Sequence, residues 1–379
     1  MSVLQKTEIE FPTGTLEIAT EHVAELEAFC DFAARANPKR GFLIVSKVLG
    51  RHLPASPADM RRAMDELGQK LPADLPGPIV VLGMAETATA LGQGVFASYL
   101  EAHGRRGVAY LQSSRQIVDG ANLIASFEEG HSHATTHLIQ VANLNIEDLV
   151  RAARTLVIVD DECSTGNTYV AVANAMLDVM PDLELVATCC ITDWSGERYI
   201  HAMPRPTLPI SILAGAMEWK AADVTHPQTL AAGSNIPGRA PRDGMRSRSG
   251  LRLPEHAIRS SIDVESGERI LVLGEGEHSY EALLVAEEIE QKGGVAAVQC
   301  ITRSPVLLGF AMQSKSTFSD SYGSGAPCFL YNILRHKPDR VLIVAEQVAS
   351  QAEEARAALQ ALGSSIRVEV ILCSYAKEE

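Results

Sequence analysis

The chain has 379 residues, of which 46% are hydrophobic, and it carries a formal net charge of −14. This length is enough for two globular domains, each with its own buried core. The acidic balance argues against a general binder of nucleic acid or of anionic membranes, because such partners are recruited by basic surfaces.

Seven cysteines are scattered along the chain without a C-x-x-C spacing. An odd, dispersed set is typical of reduced thiols rather than of a disulfide framework, which favours a cytoplasmic location. Residues 1–20 include acidic side chains and no apolar run of signal-peptide length. No later stretch reaches the roughly 18 apolar residues of a membrane span. We therefore expect a soluble, unprocessed protein that does not bind membranes.

Short apolar runs alternate with longer segments of helical pattern, which predicts an α/β fold with a mainly parallel sheet and flanking helices. In the first half, the predicted strands cover residues 42–45, 79–82, 108–111, 156–159 and 185–191. The predicted helices between them cover residues 58–70, 87–103, 146–153 and 169–180.

The alternation stops at residues 221–253, where Pro, Gly, Ser and Arg predict a linker or an ordered crossover loop. It then resumes, with predicted strands at 270–273, 295–300, 340–345 and 368–372 and predicted helices at 280–292 and 349–362. We therefore predict a first domain over residues 1–220, a linker over 221–253, and a smaller, Rossmann-like α/β domain over 254–379.

Residues 154–168 form a predicted buried strand that ends in acids and is followed by a turn of small residues. Ligands of open α/β sheets bind beyond the carboxyl ends of strands, and a helix N-terminus presents backbone N–H groups to anions. Residues 164–168 could therefore hold a phosphate, with Gly166 permitting a positive φ. Asp160 and Asp161 could accept hydrogen bonds from two vicinal sugar hydroxyls. The pattern thus predicts a sugar-phosphate site.

Two other interpretations of this stretch remain. A buried strand followed by a capped helix needs no ligand. A Walker B strand of an ATPase also ends in acids, but the sequence contains no G-x-x-x-x-G-K-[ST] to hold a triphosphate.

The stretch resembles the signature of type I phosphoribosyltransferases: four apolar residues, two acids, two variable positions, then Thr-Gly and a closing Thr. The resemblance implies that the two acids bind the ribose hydroxyls of phosphoribosyl pyrophosphate (PRPP) and that the loop binds its 5′-phosphate. The implied PRPP-binding residues are Asp160, Asp161, Glu162, Cys163, Ser164, Thr165, Gly166, Asn167 and Thr168. Asn167 stands where that family often has a second glycine, and Asn tolerates left-handed conformations. Mg²⁺ as cofactor and a homodimer are further implications.

The turn after the strand at 79–82 resembles the pyrophosphate loop of the same enzymes. We assign pyrophosphate contact to Gly83, Met84, Ala85 and Glu86, with backbone N–H groups facing the leaving group. The alternative is a packed strand-to-helix junction with Thr87 as the helix cap.

Residues 112–137 show little periodicity, and in type I enzymes a mobile loop in this region closes over the active site. Arg115 could then meet phosphate oxygens, and we group it with the acids at 160 and 161 as catalytic. His131 or His133 could contact phosphate or act on an acceptor. The spacing of His131, His133 and His137 also permits a metal site, although a solvated loop is the alternative because no cysteine or carboxylate has matching spacing. Nearer the N-terminus, Lys47, Arg51 and His52 could complete an anion pocket or cover the acceptor, or be surface cations.

Two strand ends in the second half predict a second anion or substrate pocket, composed of Gly274, Glu277, Thr302, Arg303 and Ser304. The string Thr-Arg-Ser-Pro, with a Gly-Glu turn before it and Tyr331-Asn332 after it, resembles the TRSP domain. That domain accompanies a phosphoribosyltransferase domain in bacterial proteins associated with tellurium and stress-resistance gene clusters. The linker arginines could bind a phosphorylated intermediate, although a solvated linker is the preferred interpretation; they are Arg239, Arg242, Arg246, Arg248 and Arg252.

The sequence therefore predicts a Mg²⁺-dependent transfer of ribose 5-phosphate from PRPP to a nitrogenous base or similar acceptor, in the synthesis of a nucleoside-like metabolite. One alternative is a regulator that binds PRPP without turnover. The other is a metal-dependent phosphohydrolase that uses the three histidines at 131, 133 and 137.

Overall fold

The computed structural model describes residues 4–35, 37, 40–104, 107–128, 136–222, 237–241, 244–254, 262–320, 322–346, 350–362 and 366–372. In the first half the strands are β1 (Gln5–Phe11), β2 (Gly14–Thr20), β3 (Cys30–Ala34), β4 (Phe42–Ser46), β5 (Ile79–Gly83), β6 (Val108–Gln112), β7 (Gln116–Val118), β8 (Asn122–Glu128), β9 (Thr136–Val141), β10 (Thr155–Cys163), β11 (Leu185–Asp193), β12 (Thr207–Ala214) and β13 (Ala216–Ala221). The helices there are α1 (Val23–Phe29), α2 (Pro57–Lys70), α3 (Thr89–His103), α4 (Leu144–Arg151) and α5 (Asn167–Met176).

The second half contains strands β14 (Gly238–Ala240), β15 (Arg269–Glu275), β16 (Val295–Ile301), β17 (Lys315–Ser319), β18 (Pro327–Tyr331), β19 (Arg340–Ala345) and β20 (Arg367–Leu372). Its helices are α6 (Tyr280–Gln291) and α7 (Ser350–Leu362). Among the described helices, none combines the length and the hydropathy that crossing a membrane requires.

A five-stranded parallel sheet, ordered β12-β11-β10-β5-β6, forms the centre of the first half. Every residue of β5 and β6 is buried, the pattern of a parallel sheet covered on both faces. The register pairs Gly83, at the end of β5, with Val159 of β10. The turn after β5 therefore begins beside the acids that end β10.

The expected α/β class is confirmed, and each predicted helix and strand has a counterpart. The strand predicted at residues 42–45 lies outside the parallel sheet, however, because β4 pairs antiparallel with β3. An apolar run shows that a strand is buried but does not identify its partner.

Several strands in the first half were not expected. The polar strand β1 pairs with β2, which pairs in turn with β13, about 200 residues later in the chain. The segment at 112–137, expected as an irregular loop, contains β7, β8 and the start of β9, and β8 pairs antiparallel with β9.

The second half is built on a four-stranded parallel sheet, ordered β16-β15-β19-β20. It packs against the first half through a continuous apolar core that includes residues from both parallel sheets. Polar contacts cross the same interface. Arg61 of α2 donates two hydrogen bonds to Glu287 of α6, at 2.8 and 2.9 Å, and the hydroxyl oxygens of Thr89 and Ser279 are 2.7 Å apart.

The described part of the predicted linker packs on the first half. Strand β14 pairs with β7, and Leu251 exchanges backbone hydrogen bonds with Tyr110 of β6. The preferred expectation of a solvated linker is wrong for Arg248, whose side chain is fully buried. This segment is therefore an ordered crossover where it is described.

Arg248 joins two buried carboxylates. Its guanidinium donates to Glu277 at 2.7 Å, to both oxygens of Glu346 at 2.7 and 2.8 Å, and to the Tyr322 hydroxyl at 3.0 Å. Burial raises the pKa of Glu346, but the charge and hydrogen bonds of Arg248, the charge of His278 and the N–H of Met245 together outweigh it, so the net pKa is lowered and the carboxylate stays ionised. Glu277 also accepts the N–H of Arg115 at 2.5 Å, which ties the segment after β6 to the second half of the chain.

Replacing Arg248 by Met should destabilise the protein by about 3–5 kcal/mol, because two carboxylates would remain buried without a cation. Urea denaturation at pH 7.5 measures this loss. The matched control is Arg252→Met in the same segment, where the side chain is exposed and a change within about 0.5 kcal/mol is expected. Equal stabilities of the two variants would contradict the role assigned to Arg248.

Candidate functional site

One cavity of about 770 Å³ lies between the two halves of the chain. Its lining includes the end of β10 with the turn that follows, the turn after β5, and the turn after β16. Parallel strands that end at one edge of a sheet bring their turns together, which accounts for the first two contributions. The third comes from the second sheet, so both halves of the chain build a single site.

Three consecutive acids, Asp160, Asp161 and Glu162, line this cavity at the end of β10. Glu162 is neutralised by Arg40, whose guanidinium lies 2.6 Å from a carboxylate oxygen. The N–H of Asp161 donates to the Asp160 carboxylate at 2.9 Å. Burial, aided by the negative charge of Glu162, raises the pKa of Asp161 to about 6, against the lowering effects of the Asp160 hydrogen bond and of Arg51. At neutral pH the Asp161 carboxylate is therefore ionised and can accept hydrogen bonds. Because burial disfavours its charge, it lowers the free energy of unfolding.

The turn at residues 164–168 leads directly into α5. Gly166 adopts a φ of 78° at the helix N-cap, and α5 begins at Asn167, two residues earlier than predicted. A Cβ on Gly166 would lie 2.2 Å from the Tyr199 ring. The first N–H groups of an α-helix lack intrahelical partners and attract anions. This arrangement can receive a phosphate.

In the turn at residues 83–86, two of the backbone N–H groups expected to face the pyrophosphate have partners within the protein. The N–H of Met84 donates to the carbonyl of Val159 at 2.9 Å, and the N–H of Ala85 donates to the Ser113 hydroxyl at 2.9 Å. These two groups are therefore used within the protein and do not face a leaving group. The peptide bond between Ala85 and Glu86 is cis.

Glu86 connects this turn to two arginines that line the cavity. Its carboxylate lies 3.7 Å from Nη1 of Arg51 and 3.4 Å from Nε of Arg303. Arg51 also donates to the carbonyls of Glu86 and Gly276. The two arginines come from different halves of the chain, and no sequence pattern indicates that they share a partner.

The other cations and histidines predicted for the site divide into two groups. Arg115 and His52 line the cavity, and burial with the charge of Arg51 lowers the pKa of His52 to about 3, so this ring is neutral. Lys47 instead donates to the carbonyl of Glu27. Arg40 also lines the cavity, although no role was predicted for it. The available signal was its position just before the predicted strand at residues 42–45.

His137 lines the cavity with its Nδ1 3.0 Å from the Ser113 hydroxyl and its ring stacked on Phe127. His131 and His133 lie outside the described residues. Within the described ranges, no three His, Cys, Asp or Glu side chains are arranged to hold a metal ion.

The second pocket predicted for the second half is not separate. Thr302, Arg303 and Ser304 line the same cavity as the acids of β10. Gly274 is buried within β15, and Glu277 is only 1% exposed and engaged with Arg248, so neither lines the cavity.

Family models match most of the chain. A phosphoribosyl transferase model matches residues 29–215, and the model of the TRSP domain, described as C-terminal to that phosphoribosyl transferase, matches residues 240–362. The chain belongs to this two-domain phosphoribosyltransferase family. It is therefore an enzyme of the class that transfers phosphoribosyl groups. Comparison with curated proteins gives no match.

Solved adenine phosphoribosyltransferases resemble the chain over about half its length. The enzyme of Rhodothermus marinus is 14% identical, with 50% of this chain and 99% of that chain covered and a TM-score of 0.33. The Giardia lamblia enzyme is 16% identical, with 51% and 97% covered and a TM-score of 0.36. The Saccharomyces cerevisiae enzyme is 13% identical, with 49% and 96% covered and a TM-score of 0.32. Similarity at this level carries no information on the acceptor.

Gly166→Ala should weaken ribose 5-phosphate binding and destabilise the protein. The left-handed conformation alone costs about 1–2 kcal/mol for a residue with a Cβ, and the contact with Tyr199 adds about 1–3 kcal/mol. Gly104→Ala is the matched control, because Gly104 also has a positive φ but an added Cβ would meet nothing within 4 Å. Urea denaturation and calorimetric titration measure both effects. A loss no larger than that of the control would contradict the packing described for this turn.

Asp161→Asn should stabilise the free protein at pH 7.5 by an amount on the order of 1–2 kcal/mol, because it removes a charge whose pKa is raised by burial. In the wild type, protonation of Asp161 removes the same buried charge and stabilises the folded protein by a similar amount. The gain should therefore shrink as the pH falls from about 7 through 6 toward 4.

At pH 7.5 the same variant should bind ribose 5-phosphate at least about tenfold more weakly, because a neutral amide is a weaker acceptor. A variant less stable than the wild type would contradict this account.

Proposed function

We propose that this enzyme transfers ribose 5-phosphate from PRPP to a nitrogenous base or similar acceptor, with release of pyrophosphate. The observation that carries the proposal is the common cavity lined by the acidic end of β10, the turn into α5 and the turn after β5. The acids suit two vicinal hydroxyls, the turn suits a terminal phosphate, and the register puts the turn after β5 beside them. PRPP has a 5′-phosphate, two vicinal hydroxyls and a pyrophosphate on one ribose, so it could contact all three elements at once.

In the proposed reaction the ring nitrogen of the acceptor bonds to the anomeric carbon. The carbon–oxygen bond to pyrophosphate breaks, pyrophosphate leaves with the electron pair, and the proton of an N–H acceptor passes to solvent. Positive charge develops on the sugar while negative charge grows on the leaving group. Asp160 and Asp161 fix the ribose through its hydroxyls, and the amides of residues 164–168 fix its phosphate. Catalysis by these groups is positioning and electrostatic stabilisation.

Mg²⁺ is the cofactor that we propose for the reaction. When bound, it neutralises charge on the pyrophosphate oxygens. The cavity suits such an ion, since the carboxylates of Asp160 and Asp161 offer oxygen ligands of the kind that it prefers. Because no three-residue metal cluster occurs in the described ranges, the ion would be held mainly by oxygens of the substrate and by water.

The acceptor would lie against the apolar part of the cavity wall. Phe42, Met217 and Phe329 belong to this wall, and the Arg40 guanidinium lies 4.7 Å from the centre of the Phe42 ring. A flat heterocycle packs well on such surfaces. We place the reaction in the cytoplasm and in the synthesis of a nucleoside-like metabolite; the homodimer and the link to tellurium resistance stay predictions.

Incubation of the protein with PRPP, Mg²⁺ and a panel of bases or a cell extract tests the proposal. We expect pyrophosphate release together with a product heavier than the acceptor by a ribose 5-phosphate group. The double variant Asp160→Asn with Asp161→Asn should lower the rate at least about 100-fold, because the ribose is no longer positioned.

The double variant Asp178→Asn with Asp182→Asn is the matched control, because it removes two exposed carboxylates beyond α5 and should keep the wild-type rate. Binding of PRPP without consumption would contradict a transferase and indicate a regulator. Release of inorganic phosphate dependent on a protein-bound metal would indicate the phosphohydrolase instead.

A further inference from the structure

The turn after β5 cannot use the N–H groups of Met84 and Ala85 for a ligand, because both donate to other atoms of the protein. A pyrophosphate group carries several negative charges and needs donors or cations wherever it binds. Two cations, Arg51 and Arg303, contact Glu86 of this turn.

Both guanidinium groups retain donors without partners. Nε of Arg51 and Nη2 of Arg303 are buried and have no hydrogen-bond partner among the described residues. The Arg51 side chain is 3% exposed and that of Arg303 is 11% exposed, and both line the cavity. Most buried donors in folded proteins have an acceptor, so a buried donor without one calls for a physical reason, such as a functional role or a bound ion.

The turn that carries Arg303 is fixed by hydrogen bonds on both sides. Thr302 exchanges backbone hydrogen bonds with Phe329, at 2.9 and 2.7 Å. The Tyr331 hydroxyl donates to the Ser304 carbonyl at 2.9 Å and accepts the N–H of Val306 at 2.8 Å. The guanidinium is therefore presented by a rigid support, as an electrostatic site requires.

Arg51 is held by the same interface. The N–H and carbonyl of Ala55 pair with Val298 of β16, and Arg51 itself donates to the carbonyl of Gly276 at 2.7 Å. Gly50 has a φ of 61°, and a Cβ there would lie 2.7 Å from the Val298 carbonyl oxygen. The position of Arg51 in the cavity thus depends on the docking of this segment against the second sheet.

Resting on the proposed function, we propose that Arg303 of the second half and Arg51 of the first bind the pyrophosphate group of PRPP, with Glu86 orienting both. The second half of the chain then supplies a substrate-binding residue to the phosphoribosyltransferase site. The planar guanidinium fork matches phosphate oxygens, and its positive charge opposes the charge that grows on the leaving group.

Calorimetric titrations of the full chain with two separate probes test this assignment. The probes are inorganic pyrophosphate with Mg²⁺, and ribose 5-phosphate. Arg303→Gln should weaken pyrophosphate and PRPP binding by about 10- to 100-fold and leave ribose 5-phosphate binding within about twofold of the wild type. The control Arg335→Gln, at an exposed position of the same half, should change neither affinity.

Arg303→Lys is the second variant, used if the Gln variant does not fold. It keeps the charge but loses the fork, so its pyrophosphate affinity should lie about threefold or more below the wild type. Wild-type affinity in whichever variant folds would overturn the assignment. An equal loss of ribose 5-phosphate affinity would overturn it too, as would a raised KM for the acceptor alone. Failure of the proposed function looks different, because the wild-type protein would then bind PRPP without consuming it, or would bind neither PRPP nor ribose 5-phosphate.

Discussion

The parallel pairing of β5 with β10 is the constraint on which the site depends. Because Gly83, the last residue of β5, is the register partner of Val159, the turn after β5 begins beside the acids that follow Val159 in β10, and both segments line one cavity. A shift of the register would separate the turn after β5 from the carboxylates of Asp160 and Asp161. The surrounding packing leaves little room for such a shift. A Cβ on Gly83 would lie 2.4 Å from the Tyr110 hydroxyl, and that hydroxyl donates to a carbonyl at the start of α3 at 3.0 Å. Helix, strand and turn are therefore fixed together.

The second half of the chain acts on this site from two directions. Through Arg303 it reaches the cavity beside Glu86. Through Glu277 it holds the backbone of Arg115, at the beginning of the segment expected to cover the active site. The Arg303–Glu86 contact is partly buried and the Glu277–Arg115 contact is buried. Each involves a carboxylate, and such contacts tolerate little displacement, because a charge that loses its partners away from water is costly. The two halves are thus coupled at the places where the phosphoribosyltransferase needs defined geometry, and this gives a physical reason for the family to keep the two domains in one chain.

Local signals in the sequence were sufficient for the acidic strand end and for the elements of both parallel sheets except β12, where no strand was predicted. The run before Asp160 is continuous and apolar, and its acids, small-residue turn and helix follow within a dozen residues. Contacts between distant segments left no comparable signal. Arg303 and Glu86 are 217 residues apart, and each is an ordinary charged residue in its own turn. Arg248 lies in a stretch rich in Pro, Gly and Arg, and its burial depends on Glu277 and Glu346, which follow strands β15 and β19 of the second parallel sheet. Strand β1 is polar because most of it is exposed, so its pairing follows from tertiary structure and not from hydrophobic pattern.

A crystal structure of the protein with PRPP and Mg²⁺ bound would show where the substrate lies. We expect the ribose 2′ and 3′ hydroxyls within hydrogen-bonding distance of the carboxylates of Asp160 and Asp161. We also expect the 5′-phosphate against the backbone N–H groups of residues 164–168, and the pyrophosphate beside Glu86. PRPP bound elsewhere on the molecule, or bound in this cavity with its phosphate away from that turn, would contradict this placement.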